Sequence, residues 1–323
     1  MRARRGAQEL KYDKPSKLMS SATPLRHAIL GAGGVGGLMG ACLARSGASV
    51  TLVVRPESLA HYPEQLQLES AFGNFSVPVA RASAVPPVDV LWITVKATEL
   101  VPALAALTKP ESVGAIVPLL NGIDHLALLR SRFGAEKVVA ATIAVETERV
   151  AAGRIVHRSG FARLNVSSAG RALLGGTVEH LQQMGFECRF VDDEPTLMWG
   201  KLVFLAPFAL STTAADKTTG EILSDPVWRE LGLSCLRETA AVAVAEGAKV
   251  DADAVIAGVM KMPGNMRSSM QKDVAQHKTP ELDAIAGPIL RGAQRHGIEV
   301  GATKKLVAAV ERRAGFVGSL LGR

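Results

Sequence analysis

An α/β domain with a mostly parallel sheet, followed by an all-α domain, is the fold that three observations in the sequence predict. The first is an ordered unit near the start. Arg26-His27-Ala28-Ile29-Leu30 reads as a buried strand and runs directly into the glycine turn Gly31-Ala32-Gly33-Gly34-Val35-Gly36. A helix from Leu38 to Ser46 and a strand from Ser49 to Val54 follow. Strand, turn, helix and strand within about 30 residues is what a parallel βαβ crossover requires. The second is a series of further apolar runs at 75–79, 88–95, 115–119 and 138–144. The third is a change of character after Asp192-Asp193-Glu194-Pro195, where long Ala- and Leu-rich segments begin.

Between these landmarks, the polar stretch 146–157 is extended and turns at Ala152-Gly153-Arg154, as a hairpin does. Residues 172–184 are helical and Glu187–Val191 is a closing strand. The later segments 195–215, 226–247, 251–260, 264–276, 279–296 and 302–315 are expected as helices. Asp225-Pro226, Gly247 and Gly297 supply the start and stop signals between them. The expected division is a disordered basic leader at 1–24, an α/β domain at 25–191 and a helical domain at 192–323. Only 4% of the chain is aromatic against 48% hydrophobic, so Ala, Val, Leu and Ile must build the core.

Charge and cysteine usage exclude several classes. Of the net charge of +7, the leader holds +4, from six basic and two acidic side chains. A nucleic-acid binder carries its excess on a folded face, so nucleic acid is not the expected partner. Cys42, Cys188 and Cys235 are far apart, odd in number and in no metal-ligand spacing. They are expected as reduced thiols in a cytoplasmic protein, with no metal site. The longest apolar run, Leu202 to Leu210, falls well short of the ~18 residues a membrane helix needs. The leader has no apolar h-region, and Glu9 and Asp13 argue against a transit peptide.

The glycine turn has the context that gives such a motif meaning, because it follows a strand and opens a helix. Gly31 permits the tight turn, Gly33 lets backbone approach a pyrophosphate, and Gly36 lets helix and sheet pack closely. The helix N-terminus then offers free N–H groups to phosphate. A dinucleotide-binding (Rossmann) domain is therefore expected. The end of the second strand reads Thr51-Leu52-Val53-Val54-Arg55, with arginine where an NAD site places a carboxylate. A guanidinium takes a 2′-phosphate, so the expected cofactor is NADP(H) rather than NAD(H).

Three polar residues stand where apolar strands end: Lys96, Asn121 and Glu146. Ligands in open α/β sheets lie outside the carboxyl ends of strands, which places Lys96 and Asn121 near cofactor or substrate. Lys201 lies in the apolar run Leu197-Met198-Trp199-Gly200-Lys201-Leu202-Val203. Lysine is costly to bury, and a buried one has a lowered pKa. Ser269 and Glu281 are further candidates to face the cleft from separate helices.

Taken in order, these pieces resemble the ketopantoate reductase (2-dehydropantoate 2-reductase) family. The matching elements are the turn Gly31 to Gly36, Arg55, Thr94-Val95-Lys96, Asn121-Gly122, Trp199-Gly200-Lys201-Leu202, Ser268-Ser269-Met270 with Asp273, and Glu281-Leu282-Asp283 with Gly287. The resemblance implies NADPH-dependent reduction of a 2-oxo acid to a 2-hydroxy acid, with 2-dehydropantoate and pantothenate biosynthesis as the expected setting. It implies Lys201 as general acid, with Glu281 holding that lysine or binding a substrate hydroxyl. Asn121 would lie by both nicotinamide and substrate, Ser269 would bind the substrate carboxylate, and Lys96 and Arg55 would be cofactor-side cations. A homodimer through the helical domain is compatible with this picture.

Three positions depart from the family pattern. Asparagines usually follow the catalytic lysine by four and eight residues, and here Leu205 and Ala209 stand there. A third asparagine is replaced by Ala286. Three polar anchors have become apolar, which points to a paralogous reductase for a more apolar 2-oxo acid, or to a weakly catalytic NADP(H)-binding sensor. Asn265, Ser211 or Thr212 would be the compensating groups if 2-dehydropantoate is still the substrate.

Overall fold

In the computed structural model, residues 25–315 and Leu320 are described, so the basic leader expected at 1–24 lies outside the described residues. The first half of the chain runs β1 (Arg26–Leu30), α1 (Gly34–Arg45), β2 (Ser49–Val53), α2 (Pro56–Leu59), β3 (Gln65–Glu69), β4 (Phe75–Pro78), β5 (Ala80–Ala82) and β6 (Val88–Ile93). It continues through α3 (Leu100–Ala103), β7 (Val113–Pro118), α4 (His125–Phe133), β8 (Ala141–Ala144), β9 (Thr147–Ala151), β10 (Arg154–His157), β11 (Arg163–Ser167), α5 (Arg171–Gln183) and β12 (Glu187–Val191).

The principal sheet has five strands in the order β5-β2-β1-β6-β7, all parallel. Strand order reverses between β1 and β6, so a crevice opens there above the carboxyl ends of the strands. Both central strands are apolar on both faces, as a sheet covered on two sides demands. Leu91, Trp92 and Ile93 are fully buried, and the Trp92 indole N–H donates to His27 Nδ1 at 3.1 Å. Burial pushes His27 down to about 4, so it serves as a neutral acceptor.

The later strands leave this sheet. β4-β3-β10-β9 form a four-stranded sheet that lies over α1, and β12-β11-β8 form a third. This explains why α1 is buried from Gly36 to Leu43. A Cβ on Gly37 would run into Ile155 of β10, and one on Gly40 would crowd Leu52 and Leu66. The helix also begins at Gly34, four residues before the Leu38 start expected from sequence. The glycine turn is thus already the first turn of the helix. β3, β5, β11 and α4 were not anticipated either.

The second half is helical: α6 (Glu194–Ala215), α7 (Thr219–Ser224), α8 (Pro226–Ala245), α9 (Ala252–Val259), α10 (Ser269–Ala275), α11 (Leu282–His296) and α12 (Gly301–Ala314). Asp193 caps α6 by accepting from the Thr196 N–H, with Pro195 in the first turn, so Asp193-Glu194-Pro195 acts as a helix start. Among the described residues, α6 alone is long and apolar enough to cross a membrane, but two-thirds (67%) of its apolar window is buried here. It is the central helix of its half and packs against α8, α10, α11 and α12. Two expected helices are shorter than the apolar pattern suggested. The segment 264–276 is helical only from Ser269, and α11 starts after Glu281 rather than at 279.

Polar ties hold the halves together. Arg130 of α4 makes two bonds, 2.6 and 2.8 Å, to the Glu194 carboxylate at the start of α6. Arg291 of α11 pairs with Asp124, just ahead of α4, and with Asp283.

Candidate active site

The loops after β1, β2, β6 and β7 all open at one edge of the principal sheet, and they carry Gly31, Arg55, Lys96 and Asn121. Gly31 has φ of +104°, and a Cβ there would collide with Val95. Only glycine meets both conditions at low cost. Gly36 is pressed against the Gly31 carbonyl oxygen and the Thr94 hydroxyl, and that hydroxyl donates to the Gly31 oxygen at 2.7 Å. Gly33 behaves differently, since a Cβ there would meet nothing within 4 Å. Its backbone faces open space at the N-terminus of α1, which has no side-chain cap and no acidic residue in its first turn. An uncapped, open helix N-terminus fits a phosphate. Ala32, Gly34 and Val35 complete the turn, and Gly34 lies close to the Thr147 carbonyl of β9.

Gly36→Ala is expected to destabilise the fold by about 1–3 kcal/mol, because a methyl must displace backbone rather than a flexible side chain. Thermal denaturation of the variant measures this. A Tm equal to wild type would show that the turn tolerates expansion.

The central arrangement spans the two halves. Lys201 Nζ on α6 donates to Asn121 Oδ1 at 2.9 Å. Asn121 Nδ2 donates to Glu281 Oε2 at 3.1 Å, and the Ala97 backbone N–H donates to Glu281 Oε1 at 2.8 Å. The amide therefore has one orientation, with oxygen toward the ammonium and nitrogen toward the carboxylate. Glu281 is buried, at 7% exposure, so these partners are what satisfy its charge. Sequence reasoning expected Glu281 to hold the lysine or a substrate hydroxyl. In the structure it reaches the lysine through Asn121.

Burial pulls the Lys201 ammonium down to about 8, while the Glu281 charge pulls the other way. His125, at the start of α4, is a group the sequence did not single out. It is buried, its Nε2 has no hydrogen-bond partner, and burial together with the Lys201 charge lowers it to about 4. It is neutral at physiological pH and adds no competing cation beside Lys201. A lysine titrating near 8, half-buried and fixed by an amide, is suited to deliver a proton to an oxygen near neutral pH.

Other expected site residues stand farther out. Lys96 is exposed and lies 2.5 Å from the Asp273 carboxylate of α10, and Lys272 of α10 lies 2.7 Å from Glu146. Both ion pairs cross between the halves. Arg55 is 71% exposed and pairs with Glu99 at 3.1 Å, which leaves its guanidinium at the open end of the sheet edge. Ser269 is exposed at the first turn of α10. Its neighbour Ser268 is buried, caps α10 and accepts from Thr212 Oγ1 at 2.8 Å. Thr212 is therefore engaged, and Ser211 is buried with Oγ unpartnered. Neither hydroxyl takes the place of the missing asparagines. Ala209 and Ala286 belong to the helical core, at 1% and 0% exposure, and Leu205 is half-buried against it. The three cysteines are buried and unbridged, and burial pushes each thiol up to about 12.

Two family models match the chain. Ketopantoate reductase PanE/ApbA covers residues 27–170, and its C-terminal counterpart covers 195–314. A 2-dehydropantoate 2-reductase of Caulobacter vibrioides is 32% identical over 298 residues, covering 89% of this chain and 98% of that one. A second, of Archaeoglobus fulgidus, is 26% identical over 87% of this chain and 95% of its own. Among solved structures, a PanE/ApbA family ketopantoate reductase of Ralstonia eutropha superimposes with a TM-score of 0.80 at 26% identity, over 90% of this chain and 99% of its own. D-mandelate dehydrogenase, solved with NADH and anilino(oxo)acetate, has the same fold, with a TM-score of 0.80 at 21% identity over 90% and 99%. With the two family models together covering most of its length and a relative 32% identical over 89% of it, the chain belongs to the ketopantoate reductase PanE/ApbA family.

Proposed function

We propose that this protein reduces a 2-oxo acid to a 2-hydroxy acid with NADPH, using Lys201 as the general acid. The observation that carries the reading is the bonded chain Lys201–Asn121–Glu281, which joins the two halves at the carboxyl edge of the parallel sheet. In this reading residues 25–191 bind the cofactor and 192–323 bind the substrate. Bound NADPH supplies the hydride that arrives at the carbonyl carbon. Lys201 gives its proton to the carbonyl oxygen as negative charge develops there, and Asn121 fixes the ammonium for that transfer. Ser269, exposed at the N-terminus of α10, receives the substrate carboxylate. The open Gly33 backbone receives pyrophosphate. Three buried, unbridged thiols support a reducing, cytoplasmic setting.

NADPH is favoured over NADH because no carboxylate stands at the end of β2 and Arg55 does. The Arg55–Glu99 pair is exposed and weak, so a 2′-phosphate competes with it readily. Arg55→Ala is expected to weaken NADPH binding by about 10–100-fold and NADH binding by no more than about threefold. Fluorescence titration of the two cofactors checks this. Equal losses for both would remove Arg55 from the phosphate site.

The names of the relatives make 2-dehydropantoate the reference substrate. A second reading, a more apolar 2-oxo acid, is favoured by Leu205, which of the three usual asparagine positions is the one not buried in the helical core. The test of the function is NADPH oxidation over a panel of 2-oxo acids that includes 2-dehydropantoate. Turnover of at least one member is expected. Cofactor binding without oxidation by any member would turn the reading toward a sensor.

A further inference from the structure

Two helices meet at the Lys201–Asn121–Glu281 chain, and each starts on an acidic residue that does not cap it. Asp124 precedes α4 and Glu281 precedes α11, and neither carboxylate accepts from the first turn of its own helix. An acidic side chain at a helix start ordinarily satisfies one of the free N–H groups there. Both carboxylates instead reach across between the halves. Glu281 takes the Ala97 N–H and the Asn121 amide, and Asp124 takes the Arg291 guanidinium of α11. Arg291 also donates to Asp283 Oδ1 at 2.8 Å. One guanidinium therefore joins the residue three places after Asn121 to the residue two places after Glu281.

The sequence of α11 is shaped for this reach. Asp283, Gly287 and Arg291 follow at spacings of four, so they share one face of the helix. A Cβ on Gly287 would fall on the Arg291 guanidinium and the Asp283 carboxylate. The bare position lets the arginine fold back along its own helix, bonded to Asp283 through Nη1 and to Asp124 through Nη2. The backbones also close up here. Gly122, with φ of +83°, lies where a Cβ would meet the Ala284 carbonyl oxygen.

We propose that Arg291 is a positioning residue for the general acid. By clamping Asp124 to Asp283 it holds the Asn121 loop against the start of α11, and Asn121 in turn aims Lys201. The proposal rests on the reductase reading given above and adds a residue that acts through Asn121. The Arg291, Asp124 and Asp283 side chains are 44%, 51% and 65% exposed, so their pairs contribute little to folding. A misplacement of about 1 Å at a reacting group, by contrast, can cost about 10²-fold in rate. The clamp is thus expected to matter for kcat far more than for stability.

The test measures kcat, NADPH Kd and Tm for wild type, Arg291→Ala, Gly287→Ala and the double variant, with the 2-oxo acid that wild type reduces best. Arg291→Ala is expected to lose about tenfold in kcat, with Kd for NADPH within about threefold and Tm within about 4 °C. Gly287→Ala keeps the arginine but puts a methyl where its guanidinium lies. It is expected to lose about threefold or more in kcat with Tm unchanged or raised, because alanine favours a helix interior over glycine. The double variant is expected to lose no more than Arg291→Ala alone, since both changes break one clamp. Guanidinium chloride, well below its denaturing range, is expected to restore part of the kcat of Arg291→Ala and to leave wild type unimproved. An unchanged kcat in Arg291→Ala, or losses in both single variants that follow a fall in Tm and are not relieved by guanidinium, overturns the positioning role and leaves the reductase standing. No turnover of any 2-oxo acid by wild type overturns the reductase reading, and this role with it.

Discussion

Lys201→Ala is expected to lower kcat by at least about 10²-fold while the Kd for NADPH stays within a few-fold. Hydride addition to a carbonyl leaves an alkoxide, which a positioned acid protonates faster than water does. Lys201 is positioned for this step by a single 2.9 Å bond to Asn121, and its ammonium is held near 8 by burial. Removing it deletes both the proton donor and the local positive charge. In the proposed reading the glycine turn and Arg55, on loops away from α6, hold the cofactor, so its binding is expected to survive the change. A variant with near-normal turnover would take the general acid role away from Lys201.

Glu281→Gln is expected to be the next most damaging change. The carboxylate accepts from Ala97 N–H and from Asn121, and it is buried. A glutamine presents one oxygen and one NH₂ where two acceptors are needed, so one donor must lose its partner. Charge-assisted bonds of this kind are worth about 1.5–3 kcal/mol, which corresponds to about 10–100-fold in kcat/KM. A pH profile separates this role from general damage. With Lys201 as the proposed general acid, its protonated form does the work, so kcat/KM is expected to be high below about 8 and to fall as pH rises through that value. The Glu281 charge raises the Lys201 pKa, so its removal moves the falling limb to lower pH. An unmoved limb with reduced activity would make Glu281 a packing residue only.

Much of this was legible in the residues, for identifiable reasons. The glycine turn, Lys96 and Asn121 each follow an apolar strand, and a parallel sheet puts all such positions at one edge. Lys201 stood out because a charge amid apolar residues must be satisfied by something distant. What could not be read was which partner satisfies it. Asn121 and Glu281 are 160 positions apart, and only the packing of α11 on the loop after β7 brings them to 3.1 Å. The departures are also physical. Gln65-Leu66-Gln67-Leu68-Glu69 alternates with both leucines buried, so the signal of β3 was present. β5 is three residues long and carries too little pattern to recognise. α1 begins inside the glycine turn, at Gly34, and its Gly37 and Gly40 pack against Ile155, Leu52 and Leu66, two of which lie on a separate sheet that local sequence does not reveal. His125 gave no sign, since an aspartate-histidine pair at a helix start is ordinary until Lys201 is seen beside it.

The central claim is hydride delivery to the carbonyl carbon of a 2-oxo acid. Its most direct test is transfer of deuterium from NADPH deuterated at C4 of the nicotinamide, followed by mass spectrometry of the hydroxy acid formed from the best 2-oxo acid in the panel. One deuterium at C2 of the product is the predicted result. Product without deuterium, for both C4 stereoisomers of the labelled cofactor, would contradict it.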